Sequence, residues 1–196
     1  MTHSFQWIQA TIGIFIGLSV ARLITSAANM FIARKAVAMD WIPFGWALTI
    51  FFLLLQFAWS FIELDAVIKT WNFGHFVMLL VYVLSLFSAA ALILPNIESQ
   101  AGKSLRDWFA LNGRWALSFV VLYALLLYPL RWYLISLDAE PNQATGILEV
   151  LDPGSLALVI VTLVAMLTKS RRVLASATIL DLVLTLALLV EGVIDA

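Results

Sequence analysis

The chain has 196 residues, of which 63% are hydrophobic and 12% charged, with no cysteine and a net charge of -1. This composition leaves no stretch large enough for a separate soluble domain, so we expect one integral membrane domain. Zero cysteines exclude iron–sulfur clusters, thiolate zinc sites and dithiol chemistry, and the near-neutral charge gives no support for nucleic-acid binding.

Six long apolar stretches predict an all-α, polytopic bundle of six transmembrane helices. A helix needs about 20 apolar residues to cross a hydrocarbon layer of roughly 30 Å. Pro95 ends the third stretch, and Asp152 followed by Pro153 is typical of a helix start. The predicted helices cover residues 7–31, 42–62, 73–94, 115–134, 153–168 and 173–190.

The first stretch combines a charged residue with a stripe of small residues. Arg22 lies inside the apolar stretch, and the opposite side of the helix contains Gly13, Gly17 and Ala21. Small side chains allow a second helix to approach closely. We therefore predict a central first helix that is packed on both sides, with the small residues as a helix-packing face.

Polar and small residues follow one line along the second predicted helix. At 100° per residue they lie within about 60° of each other. A polar line from one interface to the other is typical of a permeation path or a subunit contact, although a single glutamine is more often an interhelical hydrogen bond. The stripe consists of Gly45, Thr49, Gln56, Ser60 and Glu63.

The third gap, residues 96–114, contains the pattern of a short helix. Ser104 and Asp107 have the spacing of a capping box, and Gly113 stands where a helix typically ends. Apolar residues between them form one face. We therefore predict a short interfacial helix, separate from the span that follows it.

The last stretch contains one acidic residue at depth, Asp181. At 1.5 Å per residue, Arg22 lies roughly 8 Å and Asp181 roughly 12 Å from the same membrane boundary. A charge at this depth is costly when it is unpaired. We predict an ion pair between Arg22 and Asp181, which acts either as an inner charge gate or only as a structural pair.

Basic residues concentrate in alternate gaps between the predicted helices. Eight of them lie in the first, third and fifth gaps, whereas the second gap holds only Lys69 and Arg131 lies at the end of the fourth helix. The positive-inside rule assigns the first group to the cytoplasm. Both termini are then extracytoplasmic.

Acidic residues follow the opposite distribution. In this topology Asp65, Glu149, Asp152 and Glu191 lie at the outer face, close to Glu63. An acidic outer face is typical either of a mouth that concentrates cations or of an ordinary solvated rim.

The central part of the chain has a recognisable aromatic pattern. It includes a run rich in Phe and Leu over residues 46–63, the pair Leu94-Pro95 and the segment Arg106-Asp107-Trp108-Phe109. Over residues 41–128 this pattern resembles small six-pass bacterial inner-membrane proteins of uncharacterised function. The resemblance implies the six-helix topology and a bacterial inner-membrane location, and no activity.

Catalytic signatures are missing from the sequence. Neither G-x-S-x-G, nor H-E-x-x-H, nor a Walker-type loop is present. We therefore predict no catalytic, cofactor-binding or metal residues. A divalent ion held by His75 with Glu63 or Asp65 is the less favoured alternative to a solvated surface.

Two functions remain, and both have the lipid bilayer as a partner. The preferred hypothesis is a homo-oligomeric channel or transporter for a small cation or proton, lined by the stripe of the second helix. The competing hypothesis is a non-catalytic accessory, assembly or sensor subunit that docks in a larger membrane complex. A membrane enzyme acting on lipid is a distant third.

Overall fold

The structure is a computed structural model that describes residues 3–35, 38–68, 71–95, 104–138 and 153–194. These residues form an all-helical bundle, and no strand occurs among them, which confirms the all-α part of the predicted fold. The helices are α1 (His3–Ala33), α2 (Trp41–Val67), α3 (Phe73–Ile93), α4 (Leu105–Asp138), α5 (Pro153–Leu167) and α6 (Arg171–Ile194).

Five of the helices in the described part of the chain are long and apolar enough to cross a membrane. The exception is α5, which has 15 residues and is therefore about 22 Å long. This length is less than the roughly 30 Å of a hydrocarbon core. The bundle thus has five candidate spans and one shorter apolar helix.

The longest helix, α4, joins two segments that the sequence analysis separates. Its start agrees with the predicted capping box, because the Asp107 N–H donates to Ser104 Oγ at 3.1 Å. However, the helix continues through Gly113 instead of ending there. A Cβ on this buried glycine would lie 3.0 Å from the ring of Phe109, so the glycine makes room for an aromatic side chain. The predicted short helix is therefore the first part of α4.

Helix α2 is the centre of the bundle. It packs against α1, α3, α4 and α6, whereas α1 packs, within the described residues, against α2 and α3 only. A Cβ on Gly13 or Gly17 would meet no atom within 4 Å, and Ala21 is exposed. The prediction of a central α1 is wrong, because small residues permit a close approach but do not require one. The small face of α1 is not covered by any of the described residues.

Three of the gaps between helices meet at one end of the bundle. The Leu105 N–H donates to the Ala38 carbonyl at 3.3 Å, which joins the third gap to the first. The Arg171 guanidinium donates to both Asp40 carboxylate oxygens, at 2.8 and 3.1 Å, which joins the fifth gap to the first. We call this the basic end. Its composition agrees with the alternation of basic residues along the chain.

Helices α2 and α6 both begin at the basic end, so they run parallel, and they approach each other closely at Gly45. A Cβ at this position would lie only 2.6 Å from Thr178 Cγ2. Real Cβ atoms do not tolerate such a distance, so any larger residue must displace the Thr178 side chain or move the two helices apart. Gly45 therefore belongs to the predicted stripe as a helix contact and not as a polar lining.

We expect Gly45→Ala to lower the free energy of unfolding by about 1–3 kcal/mol, the usual effect of overpacking. Gly17→Ala is the matched control and should be neutral, because a Cβ there meets no neighbour. Adding Thr178→Ser to Gly45→Ala removes the clashing methyl group and should restore part of the loss. Thermal unfolding of the purified variants measures all three. Equal stability of Gly45→Ala and Gly17→Ala would contradict the close approach.

Candidate functional site

A cleft between α2, α4, α5 and α6 contains two cavities, one toward each end of the bundle. Their volumes are about 290 Å³ and about 280 Å³. All four helices contribute side chains to both cavities. The two spaces therefore lie at different levels of one cleft between the same helices.

The larger space, which we call the aromatic cavity, has a mostly apolar wall with several polar groups. Gln56 and Ser60 of the predicted stripe lie in this wall. The hydroxyl of Tyr82 is buried and has no hydrogen-bond partner among the described residues. The polar lining consists of Gln56, Ser60, Tyr82, Tyr123, Tyr128, Arg131 and Ser155.

The second space, which we call the basic cavity, opens at the basic end. Its charged lining consists of Asp40, Arg106, Arg114, Lys169 and Arg171. Asp40 also caps α2, because its Oδ1 accepts from the Ile42 N–H at 3.3 Å. Since Asp40 is paired with Arg171, the net charge of this lining is positive.

Asp181 lies midway between the two cavities along α6. Leu174, which lines the basic cavity, is seven residues before it, and Leu188, which lines the aromatic cavity, is seven residues after it. Each separation corresponds to about 10 Å along the helix axis. Asp181 is fully buried, with a relative exposure of 0%.

Two buried threonines lie at the level of Asp181, one on each of the two helices that pack against α6. On α5, Thr162 falls between Leu158 of the aromatic cavity and Ala165 of the basic cavity. On α2, Thr49 is one helical turn beyond Gly45 and so comes level with Asp181. We call Thr49, Thr162 and Asp181 the polar layer.

The hydrogen bonding of the polar layer suits either protonation state of the carboxyl group. Thr162 Oγ1 lies 3.0 Å from Asp181 Oδ1 and 2.8 Å from the Leu158 carbonyl oxygen. A hydroxyl carries one proton and can donate to only one of these acceptors at a time. Thr162 therefore donates to an ionised Asp181, or it donates to Leu158 and accepts from a protonated Asp181.

Several polar atoms in and beside this layer have no hydrogen-bond partner among the described residues. They are Asp181 Oδ2, Thr49 Oγ1 and Thr185 Oγ1. Buried polar atoms in folded proteins are nearly always paired, so a group of unpaired atoms around a carboxyl is unusual. Such local departures from full satisfaction are typical of functional sites.

The predicted partner of Asp181 lies elsewhere. Arg22 Nη2 donates to the Ala91 carbonyl of α3 at 3.3 Å. Helices α1 and α6 do not pack against each other in the described part of the bundle, and α2 packs against both. The structure therefore does not bring Arg22 and Asp181 together. A similar depth in the membrane does not make two helices neighbours.

Some of the remaining predicted site residues lie in the cleft, and the others lie outside the part of the chain that the structure describes. Gln56 and Ser60 of the stripe line the aromatic cavity, Gly45 lies against Thr178 of α6 and Thr49 is buried. The side chain of Glu63 lies outside the described residues. The acidic mouth lies outside them as well and remains a prediction. It comprises Glu149, Asp152 and the side chains of Asp65 and Glu191.

His75 is engaged at both ring nitrogens at the end of the bundle opposite the basic end. Nδ1 accepts from the Asn72 N–H at 3.3 Å, and Nε2 lies 2.7 Å from Tyr133 Oη, to which it then donates. The described residues contain no group of three or more potential metal ligands. The ring thus holds the start of α3 against α4.

Two features of the cleft were missed by the sequence analysis. Thr162 is the only polar side chain between Ser155 and Thr168, and an isolated polar residue in an apolar stretch can be recognised from the sequence. The basic residues were interpreted only as markers of topology. Arg106 and Arg114 are eight residues apart, a spacing at which both can face one cavity from a helix.

Fold and site together define an all-helical bundle of the kind found in polytopic membrane proteins, with a cleft between four of its helices. Comparison with protein-family models, curated proteins and solved structures found no match. The resemblance to small six-pass bacterial proteins therefore remains a prediction.

Proposed function

We propose that the protein moves protons across the membrane through this cleft, with Asp181 as the group that accepts and releases the proton. The observation that carries the proposal is a fully buried carboxyl group midway between two cavities. An ionisable residue at this depth in a membrane protein is by default a functional candidate. Thr162 supports the role because its hydroxyl accommodates the carboxyl group with or without the proton.

The charges of the cleft favour a proton over a metal cation. The basic cavity carries Arg106, Arg114 and Lys169, and the aromatic cavity carries Arg131. Metal cations need several oxygen ligands, whereas Asp40, the only carboxylate that the described residues contribute to either lining, is paired with Arg171. A proton needs only hydrogen-bonded groups and waters. Cavities of this size accommodate several waters, which would pair with groups such as the Tyr82 hydroxyl.

The proposed path runs within one chain. The helices that line it, α2, α4, α5 and α6 with Tyr82 of α3, belong to the same subunit, so a shared axis between copies is not needed. The polar layer separates the cavities, and transport requires that Asp181 exchange its proton with each side in turn. A homo-oligomer remains compatible with this path. We assign the small face of α1 to the contact between its subunits.

We further propose that the basic end faces the cytoplasm of a bacterial inner membrane and that both termini lie outside. The positive-inside rule supports this orientation, since the first, third and fifth gaps contain eight Lys and Arg residues. Protons would then enter the aromatic cavity from the outer side.

The test of the proposed function is proton flux into liposomes that contain the purified protein and a trapped pH indicator. We expect an imposed potassium diffusion potential to drive proton entry above the rate of protein-free liposomes. Sodium uptake should not exceed the background. Sodium flux without proton flux would refute the proton assignment, and no flux of either ion through correctly folded protein would refute transport.

An accessory role in a larger membrane complex is the second candidate. The observation that favours it is the exposed face with Gly13, Gly17 and Ala21, which contacts no other helix of the described chain. A small-residue face is suited to close contact with a helix of another subunit. Mass measurement after purification in mild detergent tests this role, because it requires a stoichiometric partner of different mass.

A further inference from the structure

We infer that the basic cavity is a binding site for the phosphate group of an anionic ligand. The cavity is formed by α4, α5, α6 and the start of α2, and its volume is about 280 Å³. Four basic side chains and one carboxylate line it. The same cavity is the inner part of the proposed proton path, but the inference rests on the charges and the apolar wall of the cavity and does not require proton movement.

The charge of the cavity is only partly compensated by the protein. Arg171 is paired with Asp40. Arg106, Arg114 and Lys169 form no ion pair with any described residue. Three cations that share one cavity repel each other, and an anion between them removes this repulsion. Arginine also binds phosphate through two parallel hydrogen bonds, which makes it the preferred residue for such groups.

Membrane topology alone does not explain why four basic side chains line the same cavity. Arg34 and Arg172 lie at the same end of the bundle and are exposed like the basic residues of the cavity, but neither lines it. The positive-inside rule is satisfied by a basic residue anywhere in a gap. The cluster around one cavity therefore has a further cause, and ligand binding provides one.

The floor of the cavity indicates the kind of phosphate ligand. Below the charged rim the wall is apolar and is formed by residues of all four helices. A basic pocket between membrane helices is the usual site for an anionic lipid headgroup, whose hydrocarbon part suits such a floor. Free phosphate shares the headgroup chemistry but makes no use of the floor. The apolar wall consists of Ile42, Phe109, Leu117, Ala165, Met166 and Leu174.

The test measures the thermal unfolding of the full chain in detergent with three probes: short-chain phosphatidylglycerol, short-chain phosphatidylcholine and inorganic phosphate. We expect phosphatidylglycerol to raise the unfolding temperature at concentrations at which phosphatidylcholine does not. An equal effect of inorganic phosphate would also support the phosphate site and would identify free phosphate as sufficient. No shift with either anionic probe would overturn the inference.

Variants distinguish a specific binding site from nonspecific attraction of anions to the basic end. The double change Arg106→Gln and Arg114→Gln should weaken the response at least tenfold, whereas the matched double change Arg34→Gln and Arg172→Gln should preserve it. Lys169→Gln, in a gap between helices, provides a second variant if the first pair fails to fold. Equal losses in the cavity variants and the control variant would show diffuse attraction and overturn the site.

Discussion

Asparagine at position 181 is expected to reduce proton flux about a hundredfold or more, the usual contribution of a group that transfers a proton. Asparagine has the size of aspartate, and its Oδ1 can still accept from Thr162, so the fold should be retained. It cannot take up a proton at neutral pH. Flux into liposomes at a fixed imposed potential, normalised to the amount of inserted protein, measures the effect.

Asp107→Asn is the matched control for this change. Asp107 is an exposed carboxylate at the start of α4 and lines neither cavity. Its replacement should leave the flux at the level of the unchanged protein. If Asp181→Asn also retained that flux, protons would bypass the polar layer and the role of Asp181 would be refuted.

Gln56→Leu is expected to reduce proton flux about tenfold, the effect of one lost hydrogen bond of roughly 1.4 kcal/mol in a water-filled path. Gln56 lies in the wall of the aromatic cavity, between the open end and the polar layer. Leucine has a similar volume but neither donates nor accepts a hydrogen bond. The same liposome assay provides the measurement.

Leu55→Met is the matched control for Gln56→Leu. Leu55 is 41% exposed, does not line either cavity and faces away from the cleft. Leu55→Met should therefore have no effect on flux. A Gln56→Leu protein as active as Leu55→Met would mean that protons do not use the aromatic cavity.

The positions of the helices could be predicted because membrane insertion imposes a local rule. Each apolar stretch satisfies its own backbone within a helix, so composition alone locates it. The error at Gly113 has an equally local cause. Glycine is common both at helix ends and beside large aromatic side chains, and only the contact with Phe109 distinguishes the two.

The partners of the helices could not be predicted in the same way. The similar depths of Arg22 and Asp181 along their helices made them plausible partners, but depth alone does not show which helices are in contact. Which helices are neighbours depends on packing over the whole bundle, and here α2 packs against both α1 and α6. Asp181 was recognised as a candidate because of its type and depth, whereas Thr162 was not, since a single threonine in an apolar helix is common.

The residues of the predicted stripe on α2 have different surroundings in the structure. Gln56 and Ser60 line the aromatic cavity, as a permeation path requires. Gly45, by contrast, serves a close contact with Thr178. Position on a helix face thus identified the side that meets the cleft, but not which of its residues meet space and which meet another helix.

The most direct test of the account is the water accessibility of the two cavities. The chain has no cysteine, so each introduced cysteine is the only thiol. Gln56→Cys and Ala165→Cys line the two cavities, and their neighbours Leu55→Cys and Val164→Cys face away from the cleft. We predict that a charged, membrane-impermeant thiol reagent modifies Gln56→Cys from the outer side and Ala165→Cys from the cytoplasmic side, and neither neighbour. Reaction at the cavity positions no faster than at their neighbours, from either side, would contradict a water-filled cleft and with it the proposed path.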